Sequence, residues 1–330
     1  MSKSLSVAFN AVLILVLITT ILLDGQSVAQ AESSADKSTA QKAVLITGAS
    51  TGLGRAMTEL LASKGYFVFA GARKDKDLAE LNDIQNVQSV RLDVTSQGDI
   101  DAAVEIITDA GRGLYGLVNN AGVGVIWPLI EIDEDDFDFQ MDVNLYGPYR
   151  VTKAFSPLIM ESSGRITNIS SVSGIYSGPL FGSYSMSKHA LEAFTDALAA
   201  ELSRFDVQVS AIEPGAYTSK IGENWVNRMK ERGKDPEDSL YKDDIQGLLN
   251  WSTENPDSFG DPVEVAQAAM HALFDENPKR RYLVVPRQAQ AEFAIRAVIE
   301  RLVQLNQGHA FSLDRDSLVN MLDEALAANE

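Results

Sequence analysis

The sequence predicts an α/β fold, with a doubly wound parallel sheet of about seven strands and helices on both of its faces. Two observations lead to this prediction. From residue 43 to residue 286, short runs rich in β-branched and apolar residues alternate with longer segments of helical periodicity. The clearest unit is a strand over Arg165–Ile169, which leads through a Ser/Gly-rich turn to a helix beginning near Tyr184.

The elements follow in a regular order along the chain. Strands are predicted over residues 43–47, 66–70, 87–93, 114–119, 165–169, 207–212 and 281–285, and helices over 54–63, 100–109, 136–161 and from 184 onward. Because no repeat or linker interrupts residues 43–286, we predict one domain there. Residues 287–330 have a partly amphipathic helical pattern and predict a C-terminal extension that is a cap, an interface or a surface appendage.

The composition excludes several kinds of site. The 330 residues are 45% hydrophobic, which suffices for one sizeable core, and the net charge of -18 argues against a nucleic-acid partner. The absence of cysteine excludes disulfides, thiolate catalysis and cysteine metal sites. The three histidines, His189, His271 and His309, are scattered and form no metal-ligand pattern, so we expect no metal site.

Residues 1–31 have the pattern of an export signal. Lys3 supplies a positive charge, residues 11–23 are an uncharged apolar run, and Ala29-Gln30-Ala31 fits a small-x-small cleavage site. A cleaved signal peptide and an uncleaved membrane anchor, with membrane association through residues 7–23, both fit this pattern. We therefore expect a membrane-associated or exported protein, and a cytoplasmic one only if this segment is not functional. The polar residues 32–42 are predicted to be a linker.

A glycine-rich turn follows the first predicted strand. Residues 47–54 have the sequence TGASTGLG, so the glycine spacing is G-x-x-x-G-x-G, and a helix comes next. Glycines at such a place let the backbone approach a pyrophosphate, which binds at the helix N-terminus. The turn therefore favours a Rossmann-type dinucleotide site over a plain turn.

Three side chains near the fifth strand suit proton transfer to or from an oxygen. Tyr184 and Lys188 are four residues apart, so they share a helix face, and Ser171 lies just past the strand end, where open α/β sheets bind ligands. A free phenol titrates near pH ~10, and an adjacent ammonium lowers that pKa. A Tyr and a Lys at this spacing also occur by chance at the exposed start of a helix. The upstream motifs therefore decide whether this pair is catalytic or a chance occurrence.

Together these motifs resemble the short-chain dehydrogenase/reductase family over about residues 42–286, and most closely its branch acting on retinol and hydroxysteroids. The glycine-rich turn, Asn119-Asn120-Ala121-Gly122 and the Ser171, Tyr184 and Lys188 set stand in the family's order, as do Asp93, Asn144, Pro214-Gly215 and Thr218. The N-terminal segment departs from the pattern, since most members have no export signal. The resemblance also implies a homo-oligomer, either a dimer or a tetramer.

The resemblance implies a role for each matching residue. Tyr184 would be the general acid/base, Ser171 would hydrogen-bond the substrate oxygen, Lys188 would lower the Tyr184 pKa and hold the nicotinamide ribose, and Asn144 would support a water path to Lys188. The cofactor would be held by Gly48, Ser50, Thr51, Gly52, Leu53 and Gly54 at its phosphates, Asp93 and Val94 at the adenine, Asn120, Ala121 and Gly122 at the adenosine ribose, and Pro214, Gly215 and Thr218 at the nicotinamide.

The end of the second strand distinguishes the two nicotinamide cofactors. An NAD site uses a carboxylate there, whereas an arginine suits the 2′-phosphate of NADP. Arg73 stands at this position and no Asp or Glu does, so we predict NADP and keep NAD as possible. Asp75 and Asp77 follow closely, which leaves a solvated charge run as the alternative interpretation.

The predicted function is hydride transfer between NADP(H) and an apolar alcohol or carbonyl compound such as a retinoid, steroid or lipid aldehyde. Apolar residues of the pattern-poor segment 219–261, with Val125, Ile126, Trp127, Tyr176, Phe181 and Tyr217, either line an apolar pocket or only pack the core. A non-catalytic dinucleotide-binding scaffold is the alternative, which the intact acid/base residues argue against. Sugar epimerisation is a third possibility, which the shortness of the segment 219–261 argues against.

Overall fold

The computed structural model describes residues 41–328. The predicted signal or anchor over residues 1–31, and all of the predicted linker except residues 41 and 42, lie outside these residues. Of the described residues, 43–328 belong to one compact unit. Within the described part of the chain, no helix is long and apolar enough to cross a membrane.

Seven parallel strands form one sheet, in the order β3-β2-β1-β4-β5-β6-β7. This arrangement confirms the predicted fold class, because the chain starts in the centre and winds outward in two directions. The strands are β1 (Ala43–Ile46), β2 (Phe67–Ala72), β3 (Val87–Arg91), β4 (Gly116–Asn119), β5 (Arg165–Ile169), β6 (Gln208–Pro214) and β7 (Arg281–Val284).

Eleven α-helices lie in the described residues, and the first nine connect or follow the strands. They are α1 (Gly52–Ser63), α2 (Asp75–Asn82), α3 (Gln97–Asp109), α4 (Glu134–Met141), α5 (Gly147–Glu161), α6 (Gly182–Leu202), α7 (Ile221–Glu231), α8 (Lys242–Glu254), α9 (Pro262–Phe274), α10 (Gln288–Leu305) and α11 (Arg315–Ala327).

Two apolar layers enclose the sheet, and β1 contributes to both. Ala43 and Leu45 point into the layer that contains residues of α3, α5 and α6, whereas Val44 and Ile46 point into the layer built by α1 and α9. All four are buried. A strand that is buried on both faces has a continuous apolar sequence, as β1 does, because neither face meets water.

The predicted long helix over residues 136–161 differs from the observed one in two ways. It begins at Glu134, directly after Asp133, where three acidic residues occupy the first turn and favour a helix N-terminus. A π-helical turn over Asp142–Tyr146 then separates α4 from α5. Such a turn inserts an extra residue into the helix and is frequent at functional sites.

The segment 219–261, which has little pattern in the sequence, contains α7 and α8. These helices cover an apolar cluster of Trp127, Leu180, Trp225, Met229 and Ile245 that is separate from the two layers of the sheet. We call residues 219–261 the lid. The sequence did not reveal these helices because their charged residues outnumber the apolar ones that the cluster needs.

The C-terminal extension consists of α10 and α11, as the helical pattern predicts. Ala294 is the one buried residue of α10, and α11 has none. The helix α10 contacts the turn after β5, where Arg301 donates to the Ile175 carbonyl at 3.2 Å and the rings of Tyr176 and Phe293 meet edge to face at 4.7 Å.

Candidate functional site

The residues predicted to bind cofactor and substrate meet at one edge of the sheet. Because all seven strands are parallel, their carboxyl ends share this edge. Thr47 follows β1, Asn120 follows β4 and Ser170-Ser171 follow β5 there. The sequence motifs that were far apart in the chain are therefore neighbours in the structure.

The glycine-rich turn after β1 has no room for side chains. Gly48 has a φ of +66°, and a Cβ on it would lie 2.9 Å from the Ala121 Cα. A Cβ on Gly54 would lie 2.2 Å from the Gly48 carbonyl oxygen. The residue before α1, Thr51, makes no side-chain cap and the first turn has no acidic residue, so the N–H groups of this helix end are available to an anion.

Thr47 and Asn120 tie this turn to the loop after β4. The Thr47 hydroxyl accepts from the backbone N–H groups of Asn120 and Ala121, both at 3.0 Å. The Asn120 amide donates in return to the carbonyls of Thr47 at 2.8 Å and Gly48 at 3.0 Å. Asn120 therefore braces the cofactor turn, and Thr47 is a site residue that the sequence reasoning did not single out.

Ser171 and Tyr184 lie together, and the interaction of their side chains lowers the pKa of the phenol. The Ser171 hydroxyl accepts from the Ser173 N–H at 3.1 Å, at the start of a 3-10 turn over Val172–Gly174. The pKa of Tyr184 is raised above its usual value, since burial raises it and the interaction with Ser171 offsets only part of this. The lowering of the Tyr184 pKa expected from Lys188 thus does not prevail in this structure.

Lys188 lies beneath Tyr184 and is buried. Its Nζ donates to the Ile169 carbonyl at 2.9 Å and lies 5.8 Å from the centre of the Tyr184 ring. Burial lowers the pKa of Lys188 to about 8, and the nearby carboxylate of Glu192 works against this by raising it. Lys188 therefore titrates close to the neutral range.

Asn144 lies in the π-helical turn and fixes the loop after β4. Its Oδ1 accepts from the Val123 N–H at 2.8 Å, and its Nδ2 donates to the Val123 carbonyl at 2.9 Å and to the Ser187 hydroxyl at 3.1 Å. A Cβ on Gly122 would lie 3.5 Å from Asn144 Oδ1 and 3.8 Å from Lys188 Nζ, so these three residues meet. The expected water path from Asn144 to Lys188 stays a prediction.

Gln140, one turn before Asn144, is a second brace of the same loop. Its Oε1 accepts from the Val125 N–H at 2.6 Å, and its Nε2 donates to the Val123 carbonyl at 2.8 Å. Gln140 is fully buried. In the sequence, Gln140 is distinguished only by its i, i+4 spacing to Asn144, and it belongs to no recognised motif.

Arg73 and Asp93 face each other beyond the ends of β2 and β3. Arg73 Nη1 lies 3.5 Å from Asp93 Oδ2, and the Arg73 side chain is 60% exposed. Burial raises the pKa of Asp93, but hydrogen bonds from the Thr95 backbone and hydroxyl, together with Arg73, bring it below its usual value. Val94, next to this carboxylate, is buried against Gly147.

The loop after β6 closes the other side of the site. Pro214 ends β6, the Gly215 N–H donates to the Val284 carbonyl at 2.8 Å, and the Thr218 N–H donates to the Gly260 carbonyl at 3.1 Å. A Cβ on Gly52 would lie 3.8 Å from the Thr218 carbonyl oxygen, so this loop contacts the glycine-rich turn.

The lid cluster adjoins Tyr184 through the segment 125–129. The Ser183 hydroxyl donates to the Val125 carbonyl at 2.8 Å, and the Trp127 N–H donates to the Leu180 carbonyl at 3.0 Å. A cavity of about 10 Å³ lies between Trp127 and Trp225. Tyr217, which the sequence analysis placed either in an apolar pocket or in the core, packs in the core layer of α1 and α9.

Asp136 on α4 fastens the lid to the rest of the domain. This carboxylate is buried, and it pairs with Arg228 at 2.7 Å and with Arg232 and Lys234 at 3.4 Å each. The guanidinium of Arg228 also stacks on the Phe139 ring at 3.9 Å from its centre. One buried acid on α4 thus binds three cations of the lid.

Comparison with known proteins agrees with this arrangement. Residues 42–230 match the family model described as short chain dehydrogenase. The chain is 36% identical to the uncharacterized oxidoreductase YbbO of Escherichia coli strain K12 over 246 residues, which cover 74% of this chain and 86% of that one. It is 32% identical to the NADPH-dependent 3-dehydrocapnine reductase of Ornithobacterium rhinotracheale, over 78% of this chain and 93% of that one.

The fold is shared with a solved structure of a short-chain dehydrogenase from Streptomyces avermitilis. The TM-score is 0.68 and the sequence identity is 27%, over 82% of this chain and 96% of that one.

Proposed function

The chain belongs to the short-chain dehydrogenase family, and from that premise we propose that it transfers a hydride between NADP(H) and the carbonyl or alcohol group of an apolar small molecule. The observation that carries this proposal is the meeting of Ser171, Tyr184 and Lys188 at the carboxyl edge of the sheet. A nicotinamide supplies or takes up the hydride when it is bound.

The protein supplies the proton at the oxygen of the substrate. In the reducing direction the Tyr184 phenol donates a proton to the carbonyl oxygen, and in the oxidising direction the phenolate takes one from the alcohol. Ser171, whose side chain lies beside this phenol, orients the same oxygen. The Lys188 ammonium stabilises the phenolate that forms, since opposite charges attract strongly in a buried site.

The glycine-rich turn and the open end of α1 fit the phosphates of a dinucleotide. A side chain on Gly48 or Gly54 would fill the space between the turn and the loop after β4. Arg73 is exposed at the end of β2, where the 2′-phosphate of NADP binds in such sheets. The NADPH-dependent relative from Ornithobacterium rhinotracheale also supports NADP(H) over NAD(H).

The lid cluster supports an apolar substrate. Trp127, Leu180, Trp225 and Met229 are buried beside the segment that contacts the start of α6 and thus Tyr184. Opening of the lid would expose this apolar surface to a substrate. A retinoid, a steroid or a lipid aldehyde or ketone has the matching chemistry.

The test is a survey of activity that follows nicotinamide absorbance with NADPH, NADH and both oxidised forms. The panel contains retinoids, steroids, fatty aldehydes and quinones, with small polar sugars and hydroxy acids as controls. We expect turnover of apolar compounds with the phosphorylated cofactor. Binding of cofactor without turnover across the whole panel would contradict the proposal, and turnover of only the polar controls would contradict the substrate class.

We also propose that residues 1–31 bring the enzyme to a membrane or export it, and that it assembles as a dimer or tetramer. The apolar run and the cleavage pattern support the first statement. Cell fractionation with mass spectrometry of the mature N-terminus tests it, and an intact chain free in the cytosol would contradict it. Light scattering gives the oligomeric state.

A further inference from the structure

A group of charged side chains lies one helix turn beyond Lys188. Glu192 and Asp196 follow Lys188 on α6, Glu213 lies in β6, and Arg281 begins β7. The guanidinium of Arg281 lies 3.1 Å from Glu192, 2.8 Å from Asp196 and 3.3 Å from Glu213. Three carboxylates thus share one arginine, and no family motif assigns them a role.

The three carboxylates differ in burial. The side chains of Glu213 and Glu192 are 4% and 12% exposed, whereas that of Asp196 is 55% exposed. Within the described residues, Glu192 Oε1 is buried and has no hydrogen-bond partner. A buried carboxylate oxygen that has no hydrogen-bond partner lowers the stability of the folded protein. Attraction to a nearby cation offsets part of this cost.

Glu192 and Lys188 are on one face of α6 and pack against the same turn. A Cβ on Gly174, in the turn that follows Ser171, would lie 3.1 Å from Glu192 Cγ and 3.2 Å from the Lys188 carbonyl oxygen. The charged and titratable groups around the pair are Tyr184, Asp196, Glu213 and Arg281. Of these acids, Glu192 is the one whose charge acts on Lys188.

We propose that Glu192 is a positioning residue for the reaction: its buried carboxylate, held by Arg281, keeps Lys188 in the ammonium form that supports Tyr184. Burial alone favours the neutral amine of Lys188. Loss of the Glu192 charge would therefore lower the fraction of Lys188 that is in the ammonium form at neutral pH, while leaving every group that touches substrate or cofactor in place.

Glu213 makes the Arg281 guanidinium available to Glu192. Burial and then the charge of Glu192 raise the pKa of Glu213 to about 7, although Arg281 acts in the opposite direction. Glu213 is therefore about half protonated at neutral pH. Its attraction for the Arg281 guanidinium weakens as it takes up a proton. The two buried glutamates thus share one arginine, Arg281.

The direct test is an NMR titration of the Lys188 side chain in cofactor-free protein labelled with 15N- and 13C-lysine, with Lys188→Arg used for assignment. In Glu192→Gln the midpoint should fall by about one pH unit, because an opposite charge has been removed from a buried cation. Glu192→Asp should restore most of the midpoint and also covers the case in which the glutamine variant does not fold.

Asp196→Asn is the matched control. It removes the shortest ion pair of Arg281, at 2.8 Å, from the same helix. It should leave the Lys188 midpoint unchanged, because Asp196 is exposed to solvent. A Glu192→Gln midpoint equal to that of the parent, or an equal shift in Asp196→Asn, would overturn the proposal.

The catalytic consequence rests on the proposed function and is measured separately. The ammonium of Lys188 is present below its pKa, so the high-pH limb of the kcat profile should move to lower pH by the same amount in Glu192→Gln. A shift in the titration with no shift in the profile would overturn the catalytic role of Glu192. An absence of any turnover in the parent would contradict the proposed function and leave the titration result standing.

Discussion

The cofactor edge and the lid are held in place by different interactions. At the cofactor edge, neutral groups such as the buried Thr47 and the partly buried Asn120 hydrogen-bond to backbone atoms at 2.8–3.0 Å, and the glycines leave no spare room. The lid instead depends on apolar packing and on the ion pairs of Asp136. The contacts of the cofactor edge fix the course of the backbone, whereas those of the lid only hold two segments together that are distant in the chain.

This difference explains which region the sequence reveals. The close approach of neighbouring atoms leaves room only for glycine at positions such as Gly54, so the cofactor edge has a fixed spacing that can be recognised. The lid contact joins Asp136 to Arg228, which are 92 residues apart. Many other pairs of residues could make such a contact, so no sequence pattern identifies the two partners.

The largest effect is expected at the cofactor edge. Gly54→Ala places a Cβ 2.2 Å from the Gly48 carbonyl, and backbone there has little freedom to move. We expect a loss of about 3 kcal/mol in stability and a fall of more than ~100-fold in NADPH affinity. Thermal unfolding and fluorescence titration with NADPH measure both. Near-parent affinity would show that the turn is not rigid.

A smaller effect is expected when the lid loses its buried acid. Asp136→Asn leaves Arg228 and Lys234 without their buried counter-charge, at a cost of about 3 kcal/mol shared between stability and lid closure. The KM for substrate should rise, whereas the Kd for NADPH should not change. Asp135→Asn, which breaks an exposed pair with Arg232 at 3.4 Å, is the control and should have little effect.

Cofactor choice tests the exposed part of the cofactor edge. Arg73→Asp removes the cation that faces Asp93 and offers a carboxylate to a ribose hydroxyl, so the NADPH-to-NADH ratio of kcat/KM should fall about tenfold. Lys76→Asp makes the same charge change on α2, at a side chain that is 84% exposed, and should leave the ratio unaltered. An equal NADPH-to-NADH ratio in the parent and in Arg73→Asp would show that another residue binds the 2′-phosphate.

The smallest effect is expected inside the lid. Gly247 lies in α8, and a Cβ placed on it has no neighbour within 4 Å. Gly247→Ala should therefore stabilise the protein by up to ~1 kcal/mol through helix propensity, with unchanged NADPH affinity. A destabilised variant would indicate that the lid packs more closely than this structure shows.

The sequence predicted the sheet, and the grouping of the candidate catalytic residues, better than it predicted the residues that support them. The continuous apolar strands and the spacing of Tyr184 and Lys188 follow from local rules, and the structure brings Ser171, Tyr184, Lys188 and Asn144 together. The π-helical turn around Asn144 was not foreseen, because one extra residue in a helix leaves the apolar periodicity almost intact.

Supporting residues are hidden from sequence reasoning for a physical reason. Gln140 and Glu192 act through contacts with elements far along the chain, and each has an ordinary helical position. The sign of the Tyr184 pKa shift is a further example. A lysine one turn away predicts a lowered pKa, but burial, which the sequence does not give, raises it.

The central claim is that chemistry resides in Tyr184 while cofactor binding resides in the cofactor edge. The most direct measurement compares kcat and the NADPH Kd of Tyr184→Phe with those of the parent. We predict that kcat falls by ~10²–10⁴-fold, because the general acid is lost, and that the Kd is unchanged, because the glycine-rich turn and Lys188 remain. Retained turnover, or a loss of NADPH binding as large as the loss of kcat, would contradict the account.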